Sequence, residues 1–478
     1  MKLNGLKLTN PYLELPAECH DRAKPAPLHG AFLIHANEAV AQMLDIDKEE
    51  LYTDDFVAFV NGAYLPEGSD TFAMCYAGHQ FGHYVPRLGD GRAINIGTLK
   101  GWHLQLKGAG QTKYSRSGDG RAVLRSSIRE YLMSEAMHGL GIETTRALAI
   151  IGSEHSVYRE EWEKGAIVLR LSPSWVRFGT FEYFAHKKRY KELEALADYA
   201  INESYLHLNL EPDKYLLFFT EVVERTAILL AHWQAAGFNH GVMNTDNMSI
   251  RGLTIDYGPY AFLDVYDHQN ICNHTDQYGR YSFGNQPNVA EWNLRALMSA
   301  LSPLVPVKYM EAVLVRYGKL YSERYLSLMG KKLGLDTLET GDRALISQLL
   351  GALQGLQVDY TLFFRMLSRY KGERAEILKL GLYHGPMKDW LDAYDERLAR
   401  NRSTQQEREE KMLRVNPKYV LKNYMLQEAI DAAEKGEYGP LNDLFRIAQD
   451  PFLEHPEFER WAGPTPEVFR NTKLSCSS

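Results

Sequence analysis

Between His240 and Gly258 the chain reads HGVMNTDNMSIRGLTIDYG, and this stretch constrains the fold more than any other. Asn247 is followed by Asp256-Tyr257-Gly258 at the interval by which kinase-type phosphotransferases place two oxygen ligands around a divalent metal. His240 and Gly241 fit the same pattern. The slot in which such enzymes keep their catalytic Asp holds Val242, whose isopropyl group neither accepts a proton nor orients a hydroxyl. Asn and Asp are also ordinary turn formers. Three matches at fixed offsets, with apolar Ile255 before the Asp and Gly258 after it, favour the metal reading. Asn247 and Asp256 supply the hard oxygens that magnesium or manganese prefers. Asp246, next to Asn247, is the acid inside the loop that can stand in as base.

A site of this kind needs a cation for phosphates and a carboxylate that positions it. The strand WHLQLK, Trp102 to Lys107, alternates and ends on Lys107. The segment AVLRSSIREYLMSEAMHGLG that follows has a helical apolar face, with Glu130 near its middle and Gly139 and Gly141 at its end. Taken singly, each of these charges is an ordinary solvated residue; their order ahead of the metal motif makes them a pair. Two glycine turns flank Lys107: RLGDGR, with Gly89, Gly91 and Arg92, and SGDGR, with Asp119, Gly120 and Arg121. Asp-Gly is also a common hairpin turn, but two such turns add backbone donors and two guanidinium groups around one lysine. Arg170 and Arg177 lie where a kinase hinge would receive an adenine. Each could instead pair with a surface carboxylate. Together they suggest phosphates at the place of the base.

The strings YAGHQFGHYVPRLGDGR, LKGAGQTKYSRSGDGRAVLRSSIREYLMSE, HGVMNTDNMSIRGLTIDYGPYAFLD and NPKYVLKNY spread over nearly the whole chain. On them the chain is identified as a member of the selenoprotein O family of kinase-like proteins. The resemblance implies an α+β, protein-kinase-like two-lobed fold of pseudokinase type, with a β-rich N-lobe and a mainly helical C-lobe. It implies ATP bound in a flipped orientation and AMP, rather than the terminal phosphoryl group, transferred to hydroxyls of proteins. Carried over by motif, Gly89, Gly91, Arg92, Lys107, Asp119, Gly120, Arg170 and Arg177 would contact the nucleotide, with Glu130 positioning Lys107. Asn247 and Asp256 would hold Mg²⁺ or Mn²⁺, and Asp246 would accept the proton. Family members carry a cysteine or selenocysteine near the C-terminus; here the chain ends LSCSS, with Ser475 before Cys476, so a local Cys-x-Cys pair is missing. A reversible disulfide between Cys476 and Cys272 is expected to tie the tail over the site, against the plainer reading of two unrelated thiols. Three function classes stay open: a protein nucleotidyltransferase using ATP, or UTP with manganese; a kinase using Asp246; and a nucleotide-binding scaffold.

Four cysteines in 478 residues exclude a disulfide framework. A net charge of −7 gives no electrostatic case for nucleic acid. No apolar run reaches membrane-spanning length and the N-terminus has no signal-peptide core, so the chain is expected in the cytoplasm; composition leaves protein or small-molecule acceptors open, the resemblance implies protein hydroxyls, and a monomer is expected. The pattern divides into an N-terminal extension over 1–75, an N-lobe over 76–172, a helical C-lobe over 173–463 and a tail over 464–478. Strands are expected over Ala93–Ile96, Trp102–Lys107, Ala147–Ile151 and Gly165–Leu171, and a long helix over Asp213–Ala236. Further helices are expected over Trp292–Leu301, Lys308–Met329, Arg343–Gly355, Tyr360–Tyr370 and Met387–Asn401, with Thr404–Lys411 an exposed charged link. His79 and His83 lack an evident carboxylate or thiol partner in sequence and read as ordinary histidines. The run FEYFAHKKRY reads as a helix packing its aromatic face on the core.

Overall fold

The computed structural model describes residues 1–381 and 385–469. Among them a mixed α/β arrangement combines one large antiparallel sheet with many helices. The strands are β1 (His20–Arg22), β2 (Phe32–Ala36), β3 (Phe72–Met74), β4 (Gly78–Gln80), β5 (His83–Val85), β6 (Ala93–Leu99), β7 (Trp102–Lys107), β8 (Ala122–Val123), β9 (Arg146–Tyr158) and β10 (Trp162–Ser172), then the short pair β11 (Phe238–Asn239) and β12 (Ala261–Phe262). The large sheet runs β1-β3-β6-β7-β10-β9-β2, with β8 beside β10, while β4 and β5 form a hairpin of their own. Three strands from the first 75 residues thus share the ladder of those that follow.

Strand β7 shows how the sequence sets the site. Successive strand residues face opposite ways. Leu104 and Leu106 therefore join Ile94, Ile96, Leu169 and Leu171 in one apolar cluster, while His103, Gln105 and Lys107 turn to the other face. Fully burying each of those leucines or isoleucines contributes roughly 1.5–3 kcal/mol, enough to anchor the sheet although its other face carries polar groups. Register then places Asn95 and Arg170 on either side of Gln105. Gln105 Nε2 donates to Asn95 Oδ1 at 3.2 Å, and Arg170 Nε donates to Gln105 Oε1 at 2.8 Å. A polar row across three strands thus leads to Glu130 on the Leu124–Gly139 helix.

That helix buries Ile128, Leu132, Met133, Ala136 and Met137 in a second apolar cluster, the face that its spacing predicts. The long helix runs Lys214–Ala236 and stops where Gly237 takes a left-handed φ of 71°. Two expectations need correction. The helix expected over Lys308–Met329 is two, Val307–Leu314 and Tyr317–Lys332. The chain breaks at exposed Val315 so that Leu314 and Tyr317 can both be buried; the apolar periodicity runs through the break and hides it. Thr404–Lys411 is no loose link: Thr404 caps the helix Gln405–Leu413 in a capping box with Glu407, and Met412 and Arg408 are buried. Among the described residues no helix is long and apolar enough to cross a membrane.

Candidate active site

A cavity of about 820 Å³ opens between the sheet and the loops around Asp246 and Asp256. It is lined by Gly89, Gly91, Arg92, Lys107, Asp119, Gly120, Arg121, Arg170, Arg177, Asp246, Asn247 and Asp256. Residues from the two glycine turns, the lysine strand, both arginine positions and the metal motif are thus brought to one place. Glu130 stands behind the wall.

Lys107 Nζ bonds Glu130 Oε2, and Arg170 Nη1 reaches both Glu130 Oε1 at 2.7 Å and Asp256 Oδ1 at 2.6 Å. Arg177 Nη1 donates to Asp256 Oδ2 and, at 2.8 Å, to the carbonyl oxygen of Asp246. Lys107 lies 3.8 Å from Asp256. Burial alone would raise the pKa of Asp256, but Arg177, Arg170 and Lys107 outweigh it and hold the carboxyl well below the usual range. Glu130 is likewise held down by Lys107 and Arg170 against its burial. Burial pushes Lys107 down from the usual lysine range. Asp256 has a φ of 57°, an uncommon backbone for a non-glycine residue, and strain of this kind concentrates at functional positions.

Asp246 differs. Among the described residues its carboxylate has one side-chain partner, Gln80 Nε2 at 3.4 Å, and its Oδ1 is buried without a hydrogen-bond partner. Burial, only partly offset by Arg177, raises its pKa to about 7. A group poised there can take a proton at neutral pH. Asn247 Nδ2 donates to Val242 O at 3.0 Å, which leaves its amide oxygen for a cation.

Asp119 is clamped by Arg159 through two bonds of 2.8 and 3.0 Å and accepts from Arg121 N–H at 2.9 Å, so it shapes the second glycine turn. At Gly120, with φ 70°, a Cβ would stand 2.1 Å from the backbone of Gly110, which explains a glycine there.

Several participants were missed from sequence. Arg159 is one. Asp90 is another: buried between the first turn's glycines, it accepts from Met74 N–H and Asn95 Nδ2 and lies 3.9 Å from Arg177. Tyr76 is a third, its ring 4.7 Å beneath the Arg177 guanidinium. The alternation that turns Gln105 to the polar face of the sheet would also have found Asn95 by register. Arg129, next to Glu130, donates to Tyr260 O at 3.2 Å and to Asn423 Oδ1 at 3.1 Å, and lies 3.5 Å from Gly258 O. It thereby ties the Asp-Tyr-Gly segment to the NPKYVLKNY string. His79 is a hydrogen-bonded histidine as read, but the partner it lacked in sequence is a carboxylate, Glu182; His103 likewise pairs with Glu203. Among the described residues no cluster of three or more His, Cys, Asp or Glu forms a metal site.

Among the described residues Cys19, Cys75 and Cys272 are free thiols. Cys272 donates to Pro259 O at 2.8 Å, and burial pushes its thiol up to about 12. Cys476, and with it the expected pairing, lies outside the described residues.

A family model described as protein adenylyltransferase SelO matches residues 2–449. A protein nucleotidyltransferase YdiU of Myxococcus xanthus is 46% identical over 491 residues, covering 100% of this chain and 99% of the relative. Proteins of the same name from Stutzerimonas stutzeri and Thioalkalivibrio sulfidiphilus are 45% and 46% identical, each over 100% of this chain and 99% and 100% of their own length.

Proposed function

The chain belongs to the SelO family of protein adenylyltransferases and is a nucleotidyltransferase, and on that premise we propose that it transfers AMP from ATP to serine, threonine or tyrosine hydroxyls of proteins, releasing pyrophosphate. The observation that carries the reading is the convergence of Lys107, Arg170 and Arg177 on Asp256 in the wall of the cavity. That place suits the far phosphates of a triphosphate better than an uncharged base. With those phosphates held there, the phosphorus left facing Asp246 is the α one. The same reading divides the chain, as in kinases, into a β-rich N-lobe over 76–172 and a helical C-lobe over 173–463, flanked by 1–75 and 464–478.

Each residue then has a task. An incoming polyphosphate competes with Asp256 for Arg170 and Arg177 and frees the carboxylate. Asn247 and Asp256 are two hard oxygen donors, a set that fits Mg²⁺ or Mn²⁺, which takes few protein ligands and completes its shell with water and phosphate oxygens. A divalent ion bound by them supplies charge neutralisation at the phosphates. Asp246 takes the proton of the acceptor hydroxyl as its oxygen bonds the α-phosphorus. The α–β bridging bond breaks on the opposite side and its electron pair leaves with pyrophosphate, whose charge Lys107 and the two arginines compensate. The glycine turns, with Arg92 and Asp119, hold the rest of the nucleotide.

Redox control through Cys272 and Cys476 is part of the proposal. It is supported by the course of the chain's last described residues: Thr465 donates to Asp264, and Phe469 stacks on Tyr424 at 5.9 Å, beside the Asn423 that meets Arg129. Peptide maps that stay identical under oxidising and reducing conditions would sink that part alone.

The main test incubates the reduced protein and magnesium or manganese with α-labelled or γ-labelled ATP, with Asp256→Ala as control. Label on protein from the α position only, lost in Asp256→Ala, is the expected result. Label from the γ position overturns it in favour of a kinase, and no transfer from either leaves a scaffold. UTP with manganese, run in parallel, decides between AMP and UMP.

A further inference from the structure

The turn Thr245–Asn247 that carries Asp246 is gripped by residues that neither phosphate nor metal binding accounts for. Thr245 is fully buried. Its Oγ1 accepts from the His79 backbone N–H at 2.7 Å. The one hydroxyl proton is thus left for another acceptor, and it goes to Glu182 Oε2. The other oxygen of Glu182, Oε1, meets His79 Nδ1 at 2.5 Å. His79, Thr245 and Glu182 form a closed ring around the loop.

Glu182 is 1% exposed, on the Phe178–His186 helix. Burying a carboxylate costs several kcal/mol unless it is paired and hydrogen-bonded. A helix that needed only packing would use apolar residues throughout, as this one does at Phe181 and Phe184. The backbones around the base are equally constrained. A Cβ at Gly78 would stand 2.4 Å from Asp246 Oδ1, and one at Gly179 would stand 2.1 Å from Ala77 O and 3.3 Å from Asp246 Cα. Hairpin β4–β5 turns through Phe81 and Gly82, with φ of 51° and 84°, a two-residue turn in which glycine or asparagine is usual. Phe81 is kept there by its N–H donating to Tyr281 Oη at 2.8 Å, and that hydroxyl donates to Asn244 Oδ1 at 2.6 Å.

We propose that Glu182 is a positioning residue for Asp246, acting through Thr245 with His79 as its counter-group, and that hairpin β4–β5 is locked to the catalytic loop by the same ring. The inference rests on the reading of Asp246 as proton acceptor. Without the Thr245–Glu182 bond the turn keeps its Arg177 and Val242 bonds but loses its tie to the Phe178–His186 helix, and the Asp246 carboxylate, with no bond of its own at Oδ1, loses its aim at the acceptor hydroxyl. Lys107 and Arg170 are held by Glu130 and Asp256, and Arg177 keeps its bond to Asp256 as well as the one to the Asp246 carbonyl, so the three keep theirs. The effect falls on kcat and leaves nucleotide affinity unchanged.

The experiment measures AMP transfer, nucleotide affinity and melting temperature for Thr245→Val, Thr245→Ser, Glu182→Gln and the Val/Gln double variant. Thr245→Val keeps the shape and removes the hydroxyl, so the test survives if Glu182→Gln folds poorly. The expected result is a kcat lower by about tenfold or more in Thr245→Val with unchanged nucleotide Kd. Thr245→Ser regains most of that loss, and the double variant is no worse than the worse single one, because both break the same bond. Multiplying losses, a fall in affinity that matches the fall in rate, or a serine variant as slow as the valine variant overturns the proposal. Asp246→Asn separates two failures. If it keeps full activity, the base reading falls and Glu182 has nothing to position. If it is inactive while Thr245→Val and Glu182→Gln run at the parent rate, the base stands and the role of Glu182 falls.

Discussion

Buried charge takes two forms in this molecule, and the contrast separates a place for a ligand from a device of folding. Among the helices, Arg397 and Asp342, each 3% exposed, close on one another through two bonds of 2.7 and 3.2 Å, and Arg397 gives a further bond to Thr337 O. Lys422 and Asp359 do the same at 2.5 Å, with Gly463 O as the extra acceptor. These cations are matched where they stand, Arg397 lying also 3.5 Å from Glu339, and none of these residues lines the cavity around Asp256. In the cavity, seven Arg and Lys side chains face four Asp carboxylates, so its walls carry a positive surplus next to solvent. Lys332 refines the lesson. It is a buried cation with no carboxylate within ion-pair distance among the described residues, its Nζ 4.2 Å from the ring centre of Phe364 and 5.4 Å from that of Tyr360. A surplus points to an anionic ligand only where a cavity can admit one.

Three substitutions can break or sharpen this contrast. Arg170→Met is expected to reduce AMP transfer by about 10³-fold, since a cation on the leaving phosphates is worth that much or more, while the unfolding midpoint in urea moves less than in the next variant. Equal damage to stability and activity would erase the distinction. Arg397→Met strands Asp342 in the interior and should cost about 3 kcal/mol of stability by urea unfolding, with nucleotide affinity of the folded enzyme unchanged. Lys332→Met should stabilise by up to about 4 kcal/mol at pH 7. The sign follows from burial, which lowers this lysine from 10.5 to about 7. The unfolded chain then holds its proton more tightly than the folded one, so the parent gains stability as pH rises from about 7 towards 10.5, and Lys332→Met should lose that slope. An unaltered slope would show that Lys332 does not cause it.

The cavity's own residues were legible to the extent that they rest on short-range pattern. Asn247 and Asp256 share one loop-and-strand stretch, and Lys107 ends an alternating strand, so spacing and period suffice to find them. The Glu182–His79 pair joins residues 103 apart in sequence, and nothing local marks either as a partner of the other. Arg159 holds Asp119 from the far end of β9, beyond the reach of any turn motif. The Thr404 capping box was legible in principle, since Thr-x-x-Glu is a helix-start signal, but the density of charge in TQQEREEK obscured it. The split near Val315 left no mark, because packing of Leu314 and Tyr317 and not a helix breaker causes it.

Arg129 binds Asn423 across 294 residues of chain. Synthesis proceeds from the N-terminus and domains fold as they emerge, so the backbone around Gly258 waits for this clasp until Asn423 has been made. A nascent chain that stops short of Asn423 carries Lys107, Asp246 and Asp256, with Arg129 already on Tyr260 O but not yet clasped to Asn423, so the cavity gains this fastening after every residue that lines it has been made.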